Sequence, residues 1–298
     1  MNYKLCLLLL VCPILTLAQA VPDTLFDPLI PNPKYPAGVG PEIHIDAAHY
    51  NYHTLTGRFA PFARVLKKDG YKISENTNPF NTKNLEKIKL LVVSNAINET
   101  NQNNWSNPTL SAFTKTEIQF LSAWVEQGGR LLLIADHMPF GGAAKELATS
   151  FGFELCNCFA MDNRRREYDL FTKDALTIIS NEITNGKNES HRVDSIITFT
   201  GTAFKIPANA IPILKLKNYT LLSPEQAWQF KNDTPHESCD EYYQAAALKF
   251  GKGKIILMGE AAMFTAQISG NQKVGMNSPA AKQNIQLLRN TIEWLVDD

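Results

Sequence analysis

The 298-residue chain lacks the motifs that announce a common chemistry. It has no Gly-x-Ser-x-Gly elbow, no phosphate-binding glycine loop, no His-Glu-x-x-His helix and no dinucleotide-binding glycine fingerprint. Charge of one sign is missing too: lysine plus arginine number 29, and so do aspartate plus glutamate. No net field draws in nucleic acid, so a nucleic-acid partner is not expected. Past residue 20 there is no apolar run near the roughly 20 residues a spanning helix needs, so the mature chain should have no transmembrane segment. Hydrophobic residues at 44% and charged residues at 19% exclude a disordered chain.

The first twenty residues read as a signal peptide. Lys4 gives a positive start, Leu5 to Leu17 an apolar core interrupted by Pro13, and Ala18-Gln19-Ala20 a small-x-small site. Cleavage is expected before Val21, giving a secreted or periplasmic protein. Cys6 and Cys12 leave with the signal, and an oxidising compartment permits a disulfide among Cys156, Cys158 and Cys239. If Cys156 and Cys158 lie on a strand they face the same way, which favours one of them bridging to Cys239 over a strained pair with each other. Three free core thiols are the alternative. Asn-x-Ser/Thr sites occur at Asn98, Asn104, Asn188, Asn218 and Asn232 and matter only in a eukaryotic source.

Residues 21–41 form a proline-rich lead-in, and 42–298 read as a single α/β domain with a β-rich insertion at about 153–250. Strands are predicted at Ile43–Asp46, Tyr71–Ser74, Leu90–Val93 and Leu131–Ile134, with helices at Phe59–Lys68, Thr114–Gln127 and Gly142–Phe151. Ala246–Phe250 and Lys254–Met258 flank Gly251-Lys252-Gly253 as a hairpin, and a helix from about Ala280 to Val296 closes the chain. Uninterrupted apolar strands between helices predict a three-layer, doubly wound, mostly parallel sheet.

Ligands of such sheets bind beyond the strands' carboxyl ends. Polar residues gather at four of these ends. Asp46, His49, Asn51, His53 and Arg58 follow the first strand, and Ser94, Asn95 and Glu99 the third. Asp136 and His137 follow the fourth, and Glu260, Gln267 and Asn277 the last. His137, Asp136, Glu260, His49 and His53 are the candidate catalytic residues, expected to converge in one cleft. Asp46, Asn51, Arg58, Asn95, Glu99, Gln267 and Asn277 are candidate substrate-binding residues. Each has a plainer reading: Asp136 or Asn95 as a helix cap, the histidines as ordinary polar residues. Imidazole and carboxylate suit a divalent metal such as zinc, but the spacing is not diagnostic. Ser94 with His137 and an acid would form a hydrolytic triad, yet it lacks the glycines a tight elbow needs.

The stretches Ala47 to His53 with Gly57-Arg58-Phe59, Gly129 to Phe140, and Gly259 to Gln267 resemble an exported bacterial family of unassigned function. That family is similar to the class I glutamine amidotransferase-like superfamily, near the ThuA-like and GldG-like domains. The resemblance spans about Glu42 to Leu295 and implies a flavodoxin-like fold. The superfamily's nucleophilic cysteine belongs at the turn where this chain has Asp136-His137, so thiol-dependent glutamine hydrolysis is not implied. Two functions remain expected: a hydrolase acting on a periplasmic or extracellular glycan or peptide, or a non-catalytic sugar- or envelope-binding domain. A purely structural envelope component is the third reading, disfavoured because it would not need polar residues at four strand ends.

Overall fold

The structure, a computed structural model, describes residues 20–164 and 166–297. The expected signal segment therefore lies almost wholly outside the described residues. In the first half, strands and helices alternate: β1 (Val21–Pro22), β2 (Glu42–Asp46), α1 (Ala60–Lys68), β3 (Lys72–Asn76), α2 (Thr82–Leu85), β4 (Leu90–Ser94), α3 (Lys115–Glu126), β5 (Arg130–Ile134) and α4 (Phe140–Thr149). The second half is rich in short strands: β6 (Glu154–Leu155), β7 (Phe159–Asp162), β8 (Asp169–Thr172), α5 (Glu182–Asn185), β9 (Ser195–Thr198), β10 (Phe204–Lys205), β11 (Ile211–Lys215), β12 (Tyr219–Leu222) and β13 (His236–Ser238). It ends with β14 (Tyr243–Phe250), β15 (Gly253–Met258), β16 (Ala266–Ser269), β17 (Gln272–Gly275) and α6 (Asn284–Val296).

The main sheet has nine strands in the order β3-β2-β4-β5-β15-β14-β10-β6, with β11 also on β14. From β3 to β15 every pairing is parallel. From β15 outward every pairing is antiparallel. The mostly parallel sheet expected from the sequence is thus corrected to a mixed one. The reason is the hairpin: a two-residue turn at Gly251-Lys252, closed by the pair Phe250–Gly253, reverses the chain, and β10, β6 and β11 then extend the sheet from that reversed strand.

Alternation along the parallel strands supplies both faces. Ile43, Ile45, Leu90, Val92, Leu132 and Ile134 pack with α1 and α6, while Leu91, Val93, Leu131 and Leu133 pack with α3 and α4. Both faces are therefore apolar, as an internal parallel strand requires. The lead-in joins the first core through Phe26, Ile30 and Tyr35. Val21 and Pro22 pair with β16. No described helix is long and apolar enough to cross a membrane.

Two local expectations are also corrected. The last helix begins at Asn284, not Ala280. Gln283 instead spends its side chain on β9, accepting from the backbone N–H groups of Asp194 and Ser195 and donating to Arg192 O. Cys156 and Cys158 pair with each other, while Cys239 is a buried free thiol. They lie in the bend between β6 and β7, not on one strand, and Cys239 Sγ accepts the Tyr219 N–H elsewhere.

Candidate functional site

The carboxyl ends of β2, β4, β5 and β15 carry a buried polar layer beneath a partly exposed aromatic one. In the polar layer, His49 is clamped between two acids. Its Nδ1 lies 2.8 Å from Asp46 Oδ2 and its Nε2 3.0 Å from Glu117 Oε1. Glu117 reaches it because Thr114 and Glu117 form the capping box that starts α3, leaving one carboxylate oxygen free to face the histidine. The other Asp46 oxygen accepts from the Asn76 amide. Burial alone would lower the imidazole pKa, but the hydrogen bonds and charges of Asp46 and Glu117 outweigh it and raise the pKa. Both ring nitrogens of His49 are thereby committed, and neither is available to a metal or a substrate.

His53 sits on the other side of the β4 end. Its Nδ1 is 3.0 Å from Ser94 Oγ, and its ring stacks on Phe59 at 4.7 Å. Burial, followed by the positive charge of Arg58 and by His137, depresses its pKa to about 3, so it is a neutral imidazole. Ser94 is fully buried, which closes it to any substrate as a nucleophile. Asn51 ties the intervening loop by accepting from His49 N–H and donating to Ser94 O.

Asp136, His137 and Glu260 come together after β5 and β15. Asn95 accepts the Asp136 N–H, and Asp136 Oδ1 accepts the His137 N–H at 2.8 Å. Both Glu260 oxygens accept backbone donors, from Ala262 at 2.8 Å and Met263 at 2.7 Å. Burial first and the Asp136 charge second push the Glu260 carboxyl well above the usual carboxylate range, and burial raises Asp136 as well. His137 Nδ1 is 2.7 Å from Met138 O, an acceptor, so Nδ1 carries the proton and a neutral ring keeps its lone pair on Nε2. Nε2 has no hydrogen-bond partner among the described residues.

The aromatic layer lies over His137. Phe159 stacks on its ring at 4.6 Å and Trp228 meets it edge-on at 4.7 Å. Trp105 stands 6.3 Å away and continues to Tyr52 at 5.8 Å, whose ring carries the Arg58 guanidinium at 4.2 Å. On the far side Phe230 touches Phe159 at 5.1 Å. Tyr52, Trp228 and Phe230 are 36%, 48% and 39% exposed. Two loops distant in sequence build this layer: Ser106 bridges Gln226, Ala227 N–H donates to Trp105 O, and Asn107 N–H donates to Glu225 O. The same loops, with Asn157 and Lys145, line a cavity of about 480 Å³. Trp228, Tyr50 and Asn95 all hold left-handed backbone, at φ of 67°, 48° and 47°. For non-glycine residues this costs on the order of 1 kcal/mol each.

Other sequence candidates lie elsewhere. Glu99 starts a short helical turn and interacts with the exposed Tyr50 hydroxyl. Gln267 belongs to β16 of the three-stranded sheet β1-β16-β17, and Asn277, just past β17, donates to Asp23 Oδ2 and to Gln267 O. No group of three or more His, Cys, Asp or Glu among the described residues is arranged to hold a metal. Sequence reasoning missed Glu117 and the aromatic residues Trp105, Phe159, Trp228 and Phe230; Thr114-x-x-Glu117 has the capping-box pattern, but that pattern does not mark its reach to His49, and no local motif marks the aromatic residues.

No protein-family model matches the chain, and no curated protein matches it in sequence. Among solved structures it is similar to the mmIFT52 N-terminal domain, with 15% identity, coverage of 86% of this chain and 98% of that one, and a TM-score of 0.58. A ThuA-like protein from Bacteroides uniformis is 14% identical over 88% of this chain and 95% of that one, at a TM-score of 0.44. Another from Parabacteroides merdae is 12% identical over 86% and 89%, at a TM-score of 0.42. At 15% identity the likeness to the mmIFT52 N-terminal domain is one of fold alone.

Proposed function

We propose that this protein is an exported carbohydrate-binding domain whose ligand lies on the aromatic layer over His137. The observation that carries the reading is the run of rings from Tyr52 through Trp105 and His137 to Trp228 and Phe230, three of them more than a third exposed. A pyranose presents apolar C–H faces to such rings and hydroxyls to groups around them; here the Arg58 guanidinium over the Tyr52 ring is such a donor. Strained backbone at Trp228, whose ring is half in water, gains little from core packing, and strain of that kind collects at ligand sites. The parallel strands run in the order second, first, third, fourth, fifth, which is the flavodoxin-like order, and this frame binds ligands at its carboxyl edge.

A hydrolase is the second reading, favoured by one observation: His137 directly follows Asp136, whose carboxyl acts by its charge on the buried Glu260, and its Nδ1 faces Met138 O. The remaining strand-end groups serve each other, and that favours binding over catalysis. A glycan microarray probed with the full chain and with Trp228→Ala tests the proposal. Wild type should bind a related set of oligosaccharides, and the variant should lose them. Failure to bind any glycan class would refute the binding reading. Shortened products after incubation with a bound glycan would promote the hydrolase.

A further inference from the structure

The amino edge of the same sheet carries a row of basic side chains. Lys249 is the cross-strand partner of Lys254 in the pair β14–β15, and Lys254 is the partner of Arg130 in the pair β15–β5. Residues directly opposite share a face on strands about 4.8 Å apart. Three basic residues thus stand in one row; Arg130 donates to Gly128 O and Lys252 O, while the like charges of Lys249 and Lys254, directly opposite each other, work against the sheet. Lys252 in the hairpin turn and Lys187 join them around a cavity of about 640 Å³.

The acids of this cavity are already engaged. Glu293 and Asp297 each take Lys34 and Lys187, and Glu182 accepts the Trp294 indole N–H. Lys254 donates to two neutral acceptors, the carbonyls of Trp294 and Asp297. Lys249 and Lys252 are exposed and have no carboxylate partner among the described residues. The Lys254 ammonium is shifted below its ordinary pKa by burial and then by the charges of Arg130 and Lys249, which is the repulsion in the row expressed as a titration.

We propose that this cavity binds a phosphate group, held by Lys249, Lys252 and Lys254 beside Arg130. A phosphate carries up to two charges and several acceptor oxygens, so one group can face more than one ammonium, whereas a single carboxylate neutralises only one. The phosphate can belong to a free phosphorylated solute or to a phospholipid headgroup. The site lies at the opposite end of the strands from His137 and is independent of the carbohydrate reading.

The test is calorimetric titration of the full chain with inorganic pyrophosphate at low ionic strength, alongside co-sedimentation with phosphatidylglycerol and phosphatidylcholine vesicles. Saturable pyrophosphate binding without sedimentation identifies a free phosphate. Sedimentation with phosphatidylglycerol but not with phosphatidylcholine identifies the headgroup. Lys249→Gln and Lys252→Gln, both at exposed positions, should each weaken the response at least tenfold. Lys249→Gln should also melt no lower than wild type without ligand, because the repulsion is relieved. No response of the wild type to either probe, or wild-type binding by both variants, overturns the site.

Discussion

Replacing His49 with alanine separates a structural clamp from a catalytic group. In the native fold His49 links Asp46, fully buried, to Glu117, and both of its nitrogens are used. Alanine leaves two carboxylates facing a void with no cation between them. Breaking a buried charge pair by removing one partner costs about 3–5 kcal/mol, a large share of the roughly 5–15 kcal/mol that holds a typical domain. With a urea m-value of about 3 kcal/mol/M, the unfolding midpoint should fall by about 1–2 M. The sign with pH follows from the raised imidazole pKa. The His49 contribution is fully present below the unfolded value near 6.5 and is lost as pH rises through the folded one, so the gap between wild type and variant narrows in alkaline buffer. Urea melts at pH 6 and pH 9 measure both effects. A variant within about 1 kcal/mol of wild type at pH 6 would refute the clamp.

Further outcomes follow from other buried groups. His53, held neutral with its pKa near 3, should cost wild type stability relative to His53→Asn as pH falls below about 6.5, by up to about 1.4 kcal/mol per pH unit; a pH-independent difference would contradict its burial as a neutral ring. Asp169 is pushed up to about 7 by burial and then by Asp162, so Asp169→Asn should stabilise the protein at pH 8 by an amount that vanishes towards pH 4, read from paired thermal melts. A Cβ on Gly201 would lie 2.2 Å from Gly259 O and 2.9 Å from Glu260 Cβ, so Gly201→Ala should destabilise by about 1–3 kcal/mol. An unchanged melting temperature would show that the β15 end gives way freely.

The parallel half of the fold was legible because its signals are local. Leu90–Val93 and Leu131–Ile134 are apolar on both faces, and Ile118, Leu121 and Val125 mark the buried side of α3. Of the antiparallel half the β14–β15 hairpin was announced by its turn glycines, but β6 and β10 are two residues long and leave no periodicity to read. The site divides in the same way. Asp136, His137 and Asn95 follow strands directly and could be picked out as neighbours of a strand end. Glu117 lies 68 residues beyond His49, and Trp228 reaches His137 through a loop pairing of Ser106 with Gln226 that no short pattern encodes. Gln267 and Asn277 follow a strand end in sequence, yet the chain turns away there to bind the lead-in at Asp23.

Tryptophan fluorescence, followed while the full chain is titrated with the oligosaccharides that a microarray identifies, tests the central claim most directly, because Trp105 and Trp228 border His137. The account predicts a saturable change in wild-type emission that disappears in Trp228→Ala, with the melting temperature of that variant nearly unchanged because its ring is 48% exposed. Binding of equal strength by Trp228→Ala, Tyr52→Ala and His137→Ala would contradict it.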